Sequence, residues 1–230
     1  MVDPDFGPIH LGNPRTEYVA WIDLMGTGAI MEWSQDTATT NIGKLQVIMG
    51  ECSEPYDLEL YPMMDGCYAI SDSESDILQF TSDVFERTSE IIVNRYLGRD
   101  APPAYFSPVI RGGIAKGDVY HGSDINGSDL DDHPIQDSIL IGRAVARAHS
   151  CESDAAPFSC IVHPTGWQKD DFGRLEWCAD KYHAQHLVDA LNTYFDYYSG
   201  KEDVNYPKKK IRKHREMAAG ALLREESVSD

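Results

Sequence analysis

Tyr18-Val19-Ala20-Trp21-Ile22-Asp23-Leu24-Met25-Gly26-Thr27-Gly28, read together with Leu58-Glu59-Leu60-Tyr61-Pro62-Met63-Met64-Asp65-Gly66-Cys67-Tyr68-Ala69-Ile70-Ser71, decides the fold. Residues 18–24 form a short apolar run bounded by turn residues, the pattern of a buried strand. Gly26-Thr27-Gly28 breaks it, and a helical stretch follows from Ala29 to about Met49, with Ile30, Trp33, Leu45, Ile48 and Met49 at helical spacing. Leu58 to Met64 reads as a second strand. Asp65-Gly66 is the strongest two-residue hairpin signal in the chain, and Cys67 to Ser71 is the returning strand.

Working outward, Ser73 reads as a helix cap, with Glu74 and Asp76 favourable in the first turn. Ile77, Phe80, Val84, Ile91 and Ile92 predict a long amphipathic helix ending near Gly98. Phe106 to Tyr120 reads as a strand with a bulge or bend at Gly112-Gly113. Ser138 to Ile141 is a short strand, and Gly142 opens a helix through about Ser153. Phe158 to Val162 is another strand, Tyr182 to Tyr198 a helix, and a basic segment, Lys208 to Arg215, leads into a last helix. The order β-α-β-β-α-β-β-α-β predicts an α+β sandwich of the ferredoxin-like kind with added C-terminal helices. The expected organisation is an N-terminal extension over 1–16, one α+β domain over 17–165, and a helical C-terminal extension over 166–230 packed on it.

The 230 residues are 42% hydrophobic, enough for one full core. No apolar run approaches the roughly 18 residues of a membrane helix. Residues 1–14 lack the basic and apolar regions of a secretory signal, so a cytoplasmic protein with no membrane partner is expected. Five scattered cysteines without a Cys-x-x-Cys pair argue against a disulfide framework or structural zinc. A net charge of -18 argues against nucleic acid as a partner. A small phosphorylated substrate is compatible with that charge when a divalent metal supplies positive charge locally.

Asp23 ends the first strand and Asp65 sits at the hairpin tip, 42 residues later (65 minus 23). Either acid alone reads most simply as a turn cap. In a β-α-β hairpin arrangement, however, the strand end and the hairpin tip lie side by side. Two carboxylates placed there can hold two divalent ions and bridge a triphosphate.

The motifs then point to a family. Trp21-Ile22-Asp23-Leu24-Met25-Gly26 resembles the first-strand motif of class III nucleotidyl cyclases, and Met63-Met64-Asp65-Gly66-Cys67-Tyr68 their hairpin motif. Val109-Ile110-Arg111-Gly112-Gly113-Ile114-Ala115-Lys116-Gly117 resembles the strand with an Arg-Gly-Gly-Ile core found in the pyrimidine cyclases of bacterial anti-phage (Pycsar) defence. Gly142-Arg143-Ala144-Val145-Ala146-Arg147-Ala148, ending at Glu152, resembles their strand-to-helix segment. The likeness spans roughly residues 17 to 165.

The resemblance implies a class III nucleotidyl cyclase sandwich in which Asp23, Asp65 and the Leu24 carbonyl bind two Mg²⁺ or Mn²⁺ ions. A nucleoside triphosphate would be cyclised with release of pyrophosphate. It implies a homodimer with shared sites, and a separate effector that senses the product. In that family an Asn and, four residues on, an Arg orient the ribose and stabilise the transition state. Here those positions hold Ala146 and Ser150, leaving Arg143 and Arg147, one turn apart, as the phosphate-reaching replacements. Arg111 reads more simply as half of a buried ion pair. The purine-reading positions hold Tyr61 and Ile139. Tyr61 lies four strand residues before Asp65, roughly 13 Å, about the reach from phosphate to base. The expectation is therefore a pyrimidine substrate, UTP before CTP. The alternatives are a purine cyclase, or a cyclase-like module that binds a nucleotide without turning it over. The acidic run Asp129 to Asp132, the histidines His121, His149 and His163, and the basic segment Lys208 to Arg215 read as solvated or structural.

Overall fold

A computed structural model describes residues 10–99, 107–126, 133–165, 173–200 and 208–223. The acidic run Asp129 to Asp132, most of residues 1–16 and the start of the strand expected from Phe106 lie outside the described residues.

The chain runs through β1 (His10–Leu11), β2 (Arg15–Leu24), α1 (Thr27–Trp33), α2 (Gln35–Ser53), β3 (Glu59–Met63), β4 (Gly66–Ser71) and α3 (Glu74–Tyr96). Then follow β5 (Ile110–His121), β6 (Ile125–Asn126), β7 (Leu140–Gly142), α4 (Arg143–Asp154), β8 (Cys160–Val162), α5 (Lys181–Ser199) and α6 (Lys208–Leu222). The main sheet has the order β3-β4-β2-β5-β7, with β8 parallel to β5. Pro62 is accommodated because β3 is the edge strand, where a missing N–H breaks no ladder.

β2 is at the centre and is covered on both faces. Tyr18, Ala20, Ile22 and Leu24 join the large cluster built with Phe80, Phe85, Ile92, Leu191 and Phe195. Val19 and Trp21 join a smaller cluster with Ile70, Ala115, Val119, Ala144 and Ala148 of α4. Burial on both faces is why the run is apolar throughout and not alternating. α5 and α6 contribute Leu187, Tyr194, Ile211 and Ala218 to the large cluster, so they share the main sheet's own core.

Three local readings change. The helix expected from Ala29 to Met49 is two helices, because Ser34 is extended and its side chain accepts the Thr37 N–H at 3.3 Å, capping α2 anew. The hairpin turn is Met64-Asp65, one residue earlier than expected, since Met63 pairs with Gly66. Gly66 sits in the ladder and has to be glycine, because a Cβ there would lie 2.4 Å from the Trp21 ring and 2.7 Å from the Ile22 carbonyl. Met64 takes the left-handed conformation the turn demands.

Gly112-Gly113 makes no bulge. β5 pairs with β2 in continuous register from Arg15↔Val119 to Leu24↔Ile110. Gly113 instead receives α4: a Cβ there would stand 2.1 Å from the Ala148 carbonyl oxygen and 2.6 Å from the Glu152 nitrogen. The buried row of α4 is Ala144, Ala148 and Glu152, two of them small for the same reason.

Gly113→Ala is therefore expected to destabilise the fold by about 3 kcal/mol, because backbone cannot yield to the added methyl. Gly112→Ala, whose Cβ would meet Cys160 Sγ, the Trp21 carbonyl and Phe85 at 3.2–3.3 Å, should lose about 1 kcal/mol. Urea unfolding of the two variants checks the ranking.

Candidate functional site

Sheet register builds the site. Asp23 faces Gly66 on one side and Arg111 on the other. The Leu24 N–H donates to the Asp65 carbonyl at 3.2 Å, which ties the strand end to the hairpin tip, and the Met25 N–H donates to the Val109 carbonyl at 2.8 Å. The structure thus brings Asp23, Leu24 and Asp65 together in a cleft of about 320 Å³, lined also by residues 25–29, Arg111, Lys210 and His214.

The electrostatics are those of paired acids in a partly dry place. Burial first, then repulsion from Asp65 and Glu152, pushes the Asp23 carboxyl up to about 8, against the pull of Arg111. Arg111 is itself held by an ion pair with Glu152, which is 2% exposed, and donates to the Ser153 carbonyl at 3.2 Å. This agrees with its reading as half of a buried ion pair. α4 holds Glu152 in place through its contact at Gly113, so that helix sets the charge beside Asp23.

The donor set fits a hard divalent cation. Two carboxylates and a backbone carbonyl are oxygen donors of the kind Mg²⁺ and Mn²⁺ take. Among the described residues no group of three His, Cys, Asp or Glu side chains converges on a metal. The remaining coordination positions would fall to phosphate oxygens and water. The Leu24 carbonyl accepts from the Thr27 hydroxyl at 3.3 Å and retains its second lone pair.

The other sequence-derived residues lie elsewhere. Tyr61 shares the α4 face of the sheet with Asp23, packing in the Trp21 cluster. Its hydroxyl bonds Glu59 at 3.0 Å and His121 at 2.8 Å, and it does not line the cleft. His121 is buried and also bonds Glu17 at 2.8 Å, so it is structural. Arg143 is exposed, 4.0 Å from Asp118, and Arg147 reaches Gly117. Gly117 and Asp118 stand six and seven residues along β5 from Arg111, roughly 20 Å at strand rise. One chain therefore does not bring Arg143 or Arg147 to Asp23.

Lys210 and His214 are the site residues that sequence reading passed over. The segment Lys208 to Arg215 was expected as a solvated helix start, yet Ile211, His214 and Ala218 are buried at i, i+3 and i+7. That spacing was the available signal. Burial, then the neighbouring Lys210, Arg111 and Lys213, lowers His214 to about 4, so its imidazole is neutral near pH 7.

The sequence matches no protein-family model and no curated protein. The three-dimensional likeness is to class III nucleotidyl cyclase catalytic domains, and the fold is theirs. The guanylyl cyclase Cya2 aligns with a TM-score of 0.50 at 15% identity, over 66% of this chain and 77% of that one. The catalytic core of a rhodopsin-guanylyl cyclase with converted specificity, in complex with ATPαS, aligns with a TM-score of 0.50 at 13% identity, over 73% and 95%. The monomeric guanylyl cyclase domain of the RhoGC fusion protein from the aquatic fungus Blastocladiella emersonii gives 0.49 at 14% identity, over 66% and 82%. No described helix is long and apolar enough to cross a membrane.

The raised Asp23 carboxyl has a measurable sign. The metal-free fold keeps a proton that the unfolded chain gives up near pH 4, so this contribution to stability is lost as pH rises towards about 8. Melting in EDTA should fall between pH 5 and 8.5 more steeply for the wild type than for Asp23→Asn. Mn²⁺ at pH 8 should raise the wild-type melting temperature and leave that of Asp23→Asn unmoved.

Proposed function

We propose that the chain is a nucleotidyl cyclase, a phosphorus-oxygen lyase that converts a nucleoside triphosphate to a 3′,5′-cyclic nucleotide and pyrophosphate. The observation that carries this reading is the meeting of Asp23, Asp65 and the Leu24 carbonyl at one cleft in a cyclase fold. Two divalent ions bound there would neutralise the triphosphate and lower the pKa of the ribose 3′-hydroxyl. The chain's task is positioning. Asp23 and Asp65 hold the phosphate end, and the ion pair of Glu152 with Arg111 keeps a cation beside them. The 3′-oxygen attacks the α-phosphorus in line, its proton passes to solvent, and the bond to the β-phosphate oxygen breaks.

The substrate we favour is a pyrimidine triphosphate, UTP before CTP, with a product that serves as a second messenger in anti-phage defence and is read by a separate effector. Its support is Tyr61 at the base-reading position, on the same sheet face as Asp23, and Ile139 at the second such position. The fold neighbours are named as a guanylyl cyclase and a rhodopsin-guanylyl cyclase core in complex with ATPαS, so a purine substrate is the second reading. A homodimer with shared sites is part of the proposal. Arg143 is exposed, Arg147 is half-buried, and both are remote from the acids of their own chain, which suits a role across a two-fold axis.

With Mn²⁺ and each triphosphate in turn, the purified chain should form cyclic nucleotide and pyrophosphate fastest from UTP or CTP. Asp65→Ala should cut turnover on the order of a thousandfold, about 4 kcal/mol of barrier. Tyr61→Ala should lose pyrimidine turnover more than metal binding. A wild type that prefers ATP or GTP would sink the pyrimidine assignment and leave the cyclase standing.

Mixing Asp23→Ala with Arg143→Ala subunits should restore activity to about a quarter of wild type under random exchange, since half the dimers then hold one intact site of two. Mixed dimers that stay inactive would remove Arg143 from the site.

A further inference from the structure

The tip of the β3–β4 hairpin carries an apolar side chain where folding gives no reason for one. Met64 is the first residue of the two-residue turn and has a φ of 42°. Glycine is at home in that conformation, and a residue with a Cβ is strained in it. The other side-chain-bearing residue with positive φ among the described residues, Phe158, is buried and is held there by the core around it. Met64 is 89% exposed, more than any other large apolar residue described, and has almost no packing of its own to offset the strain. Met63 beside it is exposed as well. Asp65, which lines the cleft, follows directly.

A second apolar side chain is left open at the far end of the sheet. β7 is an edge strand. Its Leu140 packs in the Trp21 cluster, and strand alternation turns Ile141 to the other face, where it is 48% exposed. Two residues on, Arg143 opens α4. Each open apolar side chain therefore adjoins one of the two parts of the site that a single chain keeps apart: Met64 stands beside Asp65, and Ile141 beside Arg143. A second copy related by a two-fold axis joins those parts. Where its Arg143 approaches the acids of this chain, its Ile141, at most about 7 Å of chain away, approaches Met64. Two chains of net charge -18 repel each other at long range, so their association leans on short-range apolar contact.

We propose that Met64 packs against Ile141 of a second copy and, by symmetry, Ile141 against the second copy's Met64, so that the hairpin tip is the apolar anchor of a two-fold dimer that closes both sites. The unbranched thioether side chain suits such an anchor because it adapts to the surface it meets, and a few apolar anchors carry most of the binding energy of an interface. The inference deepens the cyclase reading and rests on it for the approach of Arg143 to the acids. The exposure and strain of Met64 stand without it.

The test is crosslinking in the full chain. Met64→Cys and Ile141→Cys chains, carrying tags of different size, are co-expressed and treated with a short bismaleimide. Together they should give a covalent heterodimer well above the background of the wild type, whose own cysteines are buried or half-buried. Neither variant alone should do so. In sedimentation experiments Met64→Asn should weaken self-association about tenfold or more. Asparagine tolerates the left-handed conformation, so the melting temperature of this variant at high dilution should equal or exceed that of the wild type. A wild type that stays monomeric, equal self-association in Met64→Asn, or a mixture that crosslinks no better than Met64→Cys alone overturns the proposal. A specific crosslink between the two positions in a chain that forms no cyclic product upholds the interface and refutes the cyclase. Cyclic product without that crosslink does the reverse.

Discussion

At Gly113 the helix α4 meets the sheet backbone to backbone, and no side chain fits between them. The consequences run outward from that contact. Ala144 and Ala148 lie against β5, and Glu152 follows one turn on, buried near the C-terminal end of the helix. There it meets Arg111, two residues before Gly113 on the same strand and directly opposite Asp23 on β2. A second close approach, Trp21 over Gly66, brings β4 against the other side of Asp23. Two glycines on the strands flanking β2 thus set both walls beside one carboxylate. Each does so through the space a Cβ would have filled, and neither through an unusual turn.

The charge pattern of the cleft follows from the same geometry. Two acids brought together where water is scarce repel each other, and one of them responds by holding its proton well above the usual carboxylate range. Arg111 offsets part of this, but Glu152 shares its charge. In a chain of net charge -18, a cleft that also gathers Lys210 is a local exception to the overall field. The imbalance is of the kind that a divalent cation would relieve.

The split of the site between elements explains what one chain contains and lacks. Asp23, Leu24 and Asp65 come from a central strand and the hairpin beside it, where register leaves little freedom. Arg143 and Arg147 stand at the other end of the same sheet, at the start of α4. Tyr61 lies on the α4 face but spends its hydroxyl on Glu59 and His121. The cleft of a single chain therefore holds the two acids without Arg143, Arg147 or Tyr61.

Local composition was enough to determine the strand ending at Asp23, the hairpin carrying Asp65, the Ser73 cap of α3 and the alternation of strands and helices. Apolar runs, turn residues and caps act over a few neighbours, and the two acids were legible because a strand end and a hairpin tip are adjacent in any such arrangement. Only tertiary structure decided why Gly66 and Gly113 are glycines, since their side-chain space is filled by residues far away in the chain. It also decided that Arg111 is committed to Glu152, 41 residues on (152 minus 111), and that Lys210 reaches a cleft built nearly two hundred residues earlier. Burial of Ile211, His214 and Ala218 against α5 and its core sets where α6 lies, and that packing, a sum of long-range contacts, has no local signature strong enough to place one lysine.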